Sequence, residues 1–83
     1  MYRKYKRPRG KVPISEFEAG DNFIRVRFAK PRAGMGLRRT YEWRAWGVGQ
    51  DVIDEMKSLA SMGAGLEDFI AKGEFIKQSS RIF

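Results

Sequence analysis

Within "NFIRVRFAK" (22–30) apolar residues and arginines alternate from Ile24 to Phe28, and this period of two constrains the fold more than any other stretch. Successive side chains of a strand point to opposite faces, so Ile24, Val26 and Phe28 share one face and Phe23, Arg25, Arg27 and Ala29 the other. A helix would scatter both sets around its axis. The segment is therefore expected to be a strand with one buried face and one arginine-bearing face. "LRRTYEWRAWGV" (37–48) is its expected antiparallel partner, with Leu37, Arg39, Tyr41, Trp43 and Ala45 on one face and Arg38, Thr40, Glu42, Arg44 and Trp46 on the other.

Setting Val26 opposite Trp43 gives a register with consequences for function. Arg27 then faces Glu42, an ordinary cross-strand ion pair, whereas Arg25 faces Arg44 and Phe23 faces Trp46. Like charges directly opposite one another are destabilising, and a partner's phosphate between them would relieve that. Exposed rings beside the cations would stack bases, each worth roughly 1–3 kcal/mol. The competing expectation is that the second helix covers this face and makes Trp46 core. Alternation is the one signal that places Trp43 with Tyr41 and Ala45 on the core face and Trp46 outside.

The other elements follow from local signals. "VPISEFEAGDN" is expected as a short strand with Ile14 and Phe17 apolar, begun or edged by Pro13 and ended by the Gly20-Asp21-Asn22 turn. "QDVIDEMKSLASMGAG" takes a helical period, with Val52, Met56 and Leu59 on one face and Ile53 and Met62 beside it. Asp51 and Asp54 lie near its start, and Gly63 and Gly65 end it. "LEDFIAKG" is expected as a second short helix and "EFIKQSSRIF" as a closing strand. The expected fold class is α+β, a small antiparallel sheet in the order β-β-β-α-α-β, with residues 12–83 as one domain. An exposed edge at 74–83 would invite pairing with a second copy, so a homodimer is expected.

Charge points toward a partner. The net charge is +7 over 83 residues, but residues 1–47 hold 13 Lys/Arg against 4 Asp/Glu, while residues 48–83 hold 4 against 6. Segregation of this kind suits a polyanion facing the first half. "MYRKYKRPRGK" (1–11) carries Arg3, Lys4, Lys6, Arg7, Arg9 and Lys11. Self-repulsion, Pro8 and Gly10 make it an expected flexible basic arm, with Tyr2 and Tyr5 among the cations as further stacking groups. The loop "KPRAGMGLRR" adds Lys30, Arg32, Arg38 and Arg39 as phosphate contacts, with Met35 as a groove wedge.

Other classes are disfavoured. The chain has no cysteine and no histidine, which removes thiolate nucleophiles, disulfides and imidazole acid–base chemistry. Asp51 and Asp54 suit a helix start better than a metal, and no nucleophile–base arrangement is evident around Ser79 and Ser80. No enzyme, cofactor or metal is expected. No stretch approaches the ~20 apolar residues of a membrane span, and the basic N-terminus lacks the apolar run of a signal peptide, so a cytoplasmic protein is expected.

"YEWRAWGVGQDVIDEM" followed by "FIAKGEFI" resembles the run in bacterial and phage single-stranded DNA-binding proteins, where an aromatic strand leads into a helix and a "KG" turn into the next strand. The resemblance covers about half the chain. It implies a reduced OB-like barrel, binding of single strands without base specificity, no catalysis, and stacking roles for Trp43, Trp46 and Phe23. The expected function is thus single-stranded nucleic-acid binding, DNA over RNA. Phosphates would be held by Arg25, Arg27, Arg38, Arg39 and Arg44, helped by Lys30, Arg32 and the arm cations. Two alternatives fit the same composition: a phage-type inhibitor or adaptor on an acidic host-protein surface, and a structural RNA binder of the ribosomal kind.

Overall fold

A computed structural model describes residues 1–32, 34 and 36–83. Five strands form one antiparallel sheet: β1 (Arg3–Lys4), β2 (Ile14–Ala19), β3 (Phe23–Phe28), β4 (Thr40–Arg44) and β5 (Arg81–Ile82). They lie side by side in sequence order, a meander rather than the Greek-key barrel of an OB fold. Between β4 and β5 run α1 (Ala45–Val48), α2 (Gln50–Met62), α3 (Leu66–Lys72) and a 3₁₀ turn over Phe75–Gln78. The fold is α+β, as expected, with an additional first strand, β1, inside the segment expected to be a flexible arm.

The core lies between the helices and one sheet face. Ile24, Val26 and Phe28 meet Phe17, Tyr41 and Trp43 from the flanking strands, and Ile53, Met56, Ala60, Leu66 and Ile70 close over them. Complete burial of a large apolar side chain contributes roughly 1.5–3 kcal/mol. Ile14 and Phe17 both face inward although they are three residues apart. The register shift between Ile14 and Glu16 inserts the extra residue that makes this possible. Trp43 is core: its indole N–H donates to the Phe75 carbonyl at 2.7 Å and its ring stacks on Tyr41. On α2 the buried residues are Ile53, Met56 and Ala60, so the apolar face is turned from the expected one and Met62 points out.

Several expectations are corrected. The second hairpin strand stops at Arg44, where the Ala45 N–H makes a last bond to the Asn22 carbonyl and the chain turns into α1. Gly49, at φ +96°, then redirects it so that α2 packs on the core face. Leu37 and Trp46 therefore lie off the strand. The β3–β4 register differs by two residues from the expected one: Ile24 pairs with Trp43, Arg25 with Glu42, Val26 with Tyr41, and Phe23 with Arg44. Arg25 does not face Arg44, and Phe23 does not face Trp46. The eleven residues between β3 and β4 impose no tight-turn register, so pairing is set by charge, and this arrangement gives Glu42 two arginines with no like-charge pair. In the closing segment only Arg81–Ile82 is strand.

The basic N-terminal segment is tied down rather than free. Arg3 and Lys4 pair with Phe17 and Glu16, and Tyr5 is 1% exposed. Glu67 anchors the stretch. Its Oε1 accepts from the Tyr5 hydroxyl at 3.0 Å, and its Oε2 accepts from the N–H groups of Arg9 at 2.9 Å and Ile14 at 3.2 Å. The Tyr5 oxygen in turn accepts from the Leu66 N–H. Further along, the Arg7 N–H donates to the Gly63 carbonyl at 2.7 Å, and a Cβ on Gly63 would lie 2.5 Å from that of Lys6.

Burial, more than the nearby Glu67 charge, pushes the Tyr5 hydroxyl up from 10.0 to about 12. A raised folded-state value means that the folded chain holds a proton which the unfolded chain has released. The associated stability is present below pH 10 and is lost as pH rises toward 12. The loss is about 2–3 kcal/mol at ~1.4 kcal/mol per decade. Denaturant titrations between pH 9 and 12 should show this decline in the native chain. Tyr5→Phe should lack this component, and equal slopes in the two proteins would remove Tyr5 as its source.

Candidate nucleic-acid interface

The face of the sheet turned away from the helices carries the polar half of each alternation. Lys4 of β1, Glu16 and Glu18 of β2, Phe23, Arg25 and Arg27 of β3, Thr40, Glu42 and Arg44 of β4, and Arg81 beside Phe83 all belong to it. Their order across the strands makes a lattice of alternating charge. Arg25 lies between two carboxylates, with Nε 2.7 Å from Glu42 Oε1 and Nη1 3.1 Å from Glu18 Oε1. Arg44 Nε reaches the other Glu42 oxygen at 2.7 Å. Arg27 Nη1 bonds Glu16 at 2.8 Å, and its Nε approaches the Thr40 hydroxyl at 3.4 Å. The N-terminal ammonium also pairs with Glu18.

Glu42 is the centre of this lattice and is 4% exposed. Burial opposes its ionisation, but the hydrogen bonds and positive charges of Arg25 and Arg44 outweigh that and hold its carboxyl below the usual range. The carboxylate therefore stays charged at neutral pH and fixes two guanidinium groups in place.

Aromatic rings fill the gaps between the charges. The Arg25 guanidinium lies 5.3 Å from the Phe23 ring and 5.5 Å from the Phe83 ring. Arg44 lies over Phe23 at 5.1 Å, Arg81 over Phe83 at 5.0 Å and Arg27 over Tyr2 at 4.1 Å. Phe23 is held down on Gly20, where an added Cβ would fall 2.1 Å from the ring. The surface thus presents flat π groups and planar cations at strand spacing, close to 4.8 Å between neighbouring strands.

The structure brings Phe23, Arg25, Arg27, Arg44 and Lys4 together on this face and separates the other expected residues from it. Lys30, Arg32, Arg38 and Arg39 gather at the end where β3 runs out and β4 begins, together with Lys11. Among the described residues none of these five forms a salt bridge. The Arg32 guanidinium packs over the Phe28 ring at 4.9 Å, and Arg39 donates to the Ala29 carbonyl. Trp46 lies beyond the other end of β4, in α1, and is 77% exposed. Arg3 packs on Phe17, while Lys6, Arg7 and Arg9 follow the anchored segment over Gly63 and Glu67. Met35 lies outside the described residues.

Arg81 and Phe83 are unexpected members of the face, and Glu16 and Glu18 unexpected counter-charges; Glu42 is a counter-charge as expected, but to Arg25 and Arg44 rather than Arg27, and Tyr2 joins the face against Arg27. A signal for the glutamates was present: Glu-Phe-Glu at 16–18 complements Arg-Val-Arg at 25–27 when the strands are antiparallel. Nothing local marks Phe83, whose placement depends on the chain returning through three helical segments. Among the described residues, no helix is long and apolar enough to cross a membrane. Comparison with family models, curated proteins and solved structures finds no match to this chain.

Proposed function

We propose that the chain is a small, non-catalytic single-stranded nucleic-acid-binding protein whose open sheet face stacks bases, with single-stranded DNA as the first ligand to test. One observation carries this reading: a sheet face that no helix of the described residues covers, on which Phe23, Phe83 and Tyr2 alternate with Arg25, Arg27 and Arg44. Single strands are held by such mixtures, because rings take bases regardless of identity while cations follow the backbone. Since the three arginines already carry glutamate partners, most phosphate neutralisation falls to Lys30, Arg38, Arg39, Lys11 and Lys4.

The test is anisotropy of a labelled oligothymidine over a salt series. Log affinity should fall linearly with log salt, with a slope of about −3 to −4 for roughly five phosphate contacts. Phe23→Ala and Phe83→Ala should each weaken binding about tenfold, the value of one stacked base. Absence of binding at low salt, or variants that bind like the native chain, would end this reading. The second reading, an adaptor on an acidic protein, draws on the exposed Trp46 and on arginines that are already neutralised. A nuclease-resistant one-to-one complex unaffected by Phe83→Ala would favour it.

A further inference from the structure

The two ends of the sheet differ in charge and each carries an exposed apolar side chain. At one end Leu37 is 92% exposed beside Arg38 and Arg39, with Lys11 and Lys30 close by along the backbone. At the other end Trp46 is 77% exposed. Next to it along the backbone lie the Asp21–Asn22 turn, whose Asn22 carbonyl accepts from the Ala45 N–H, and the first turns of α2 with Asp51 and Asp54. Gln50 ties this end together by donating to the Asp21 backbone carbonyl and the Asp54 carboxylate; among the described residues the cations there are Lys57, 3.9 Å from Asp54, and Arg44, whose charge is taken up by Glu42. The six residues of β3 separate the ends by roughly 20 Å at ~3.3 Å each.

We infer that the acidic Trp46 end of one copy docks on the basic Leu37–Arg39 end of a second copy, head to tail. Charge complementarity selects this occupant. A mostly basic chain bears one acidic end with an exposed indole, and its own opposite end supplies the cations and the aliphatic group that an indole takes best. The contact is heterologous, so each added copy presents a fresh acidic or basic end and assemblies grow beyond dimers. Each end is a modest part of a molecule measuring 28 × 26 × 24 Å, so a single junction is weak and salt-sensitive. The inference stands apart from the nucleic-acid reading, although both use Arg38 and Arg39.

Sedimentation velocity of the full chain without nucleic acid tests it, up to about 1 mM protein, since contacts this small are weak. At low salt the weight-average coefficient should rise with concentration, and a few hundred millimolar salt should abolish the rise. Trp46→Ala should leave a monomer. So should the pair Arg38→Glu with Arg39→Glu, and the pair Asp51→Lys with Asp54→Lys, whereas an equimolar mixture of the two charge variants should associate again. If the lysine pair fails to fold by circular dichroism, Asp51→Asn with Asp54→Asn takes its place as a non-associating variant. A native chain that stays monomeric, charge variants that self-associate like the native chain, or folded charge variants that stay apart when mixed would overturn the inference.

Discussion

Glu67→Ala is expected to lower the melting temperature by about 15–20 °C, at ~4–8 °C per kcal/mol in a chain of this size, and to open residues 3–11 to trypsin. The carboxylate accepts three hydrogen bonds from one segment, from the Tyr5 hydroxyl and the Arg9 and Ile14 N–H groups. Hydrogen bonds to a charged group are worth about 1.5–3 kcal/mol each, and a buried donor left without its acceptor costs ~1–3 kcal/mol. The Arg9 N–H lies at the surface and can turn to water. Tyr5 and Ile14 are buried and cannot. Two stranded donors amount to roughly 3 kcal/mol, a large share of the ~4–12 kcal/mol that a chain of this length holds in total. The same loss unpins β1, so the cleavage sites after Arg3, Lys4, Lys6 and Arg9 become accessible, Arg7 being protected by Pro8. Glu67→Gln keeps a carbonyl acceptor and should fall between the two. Thermal melts and timed trypsin digestion measure both effects. Unchanged protection of the segment in Glu67→Ala would show that β1 pairing and the Gly63 contact suffice without the carboxylate.

That anchoring was not legible in the sequence, and the reason is physical. Six cations in eleven residues predict mutual repulsion and mobility, and nothing within the segment says that one glutamate 62 residues after Tyr5 gathers its donors. Where alternation is strict, local structure is legible in the sequence. Residues 23–28 are a strand with the expected inward and outward sets, because a half-buried strand tolerates no other pattern. The β3–β4 register was not fixed by that pattern, since a shift of two residues keeps every side chain on its own face. Charge breaks the tie only when Glu42 is weighed against both Arg25 and Arg44 together. Trp46 failed as a strand residue for a local reason. Two glycines, Gly47 and Gly49, follow Trp46 within three residues and weaken a continued strand, and the chain leaves β4 at Arg44 to carry Trp46 on α1.

Glu42→Gln is expected to weaken the fold and strengthen polyanion binding, two effects of opposite sign. The stability cost comes from losing two charge-assisted hydrogen bonds at an almost buried carboxylate. Both arginines remain about a third exposed, so water screens part of the loss and about 1–2 kcal/mol is the expected size. The acid limb of the stability profile should shrink as well. A lowered folded-state value gives Glu42 a contribution that is present above the ordinary carboxylate range and disappears as pH falls through it, and glutamine has no proton to take up. On the binding side, removing the one carboxylate charge frees one net positive charge on Arg25 and Arg44, while Glu18 still holds Arg25 and the Phe23 and Phe83 rings still carry the guanidinium groups. One more phosphate neutralised steepens the salt slope by about 0.7 on a single strand and tightens low-salt binding roughly tenfold, the ~1.4 kcal/mol expected of a new charge-assisted contact. A structural lesion in a binding face lowers affinity along with stability. A gain in affinity therefore requires that the face itself meets the polyanion, and an oligothymidine affinity that drops in proportion to stability would remove the open sheet face as the binding surface and leave only the loop cations.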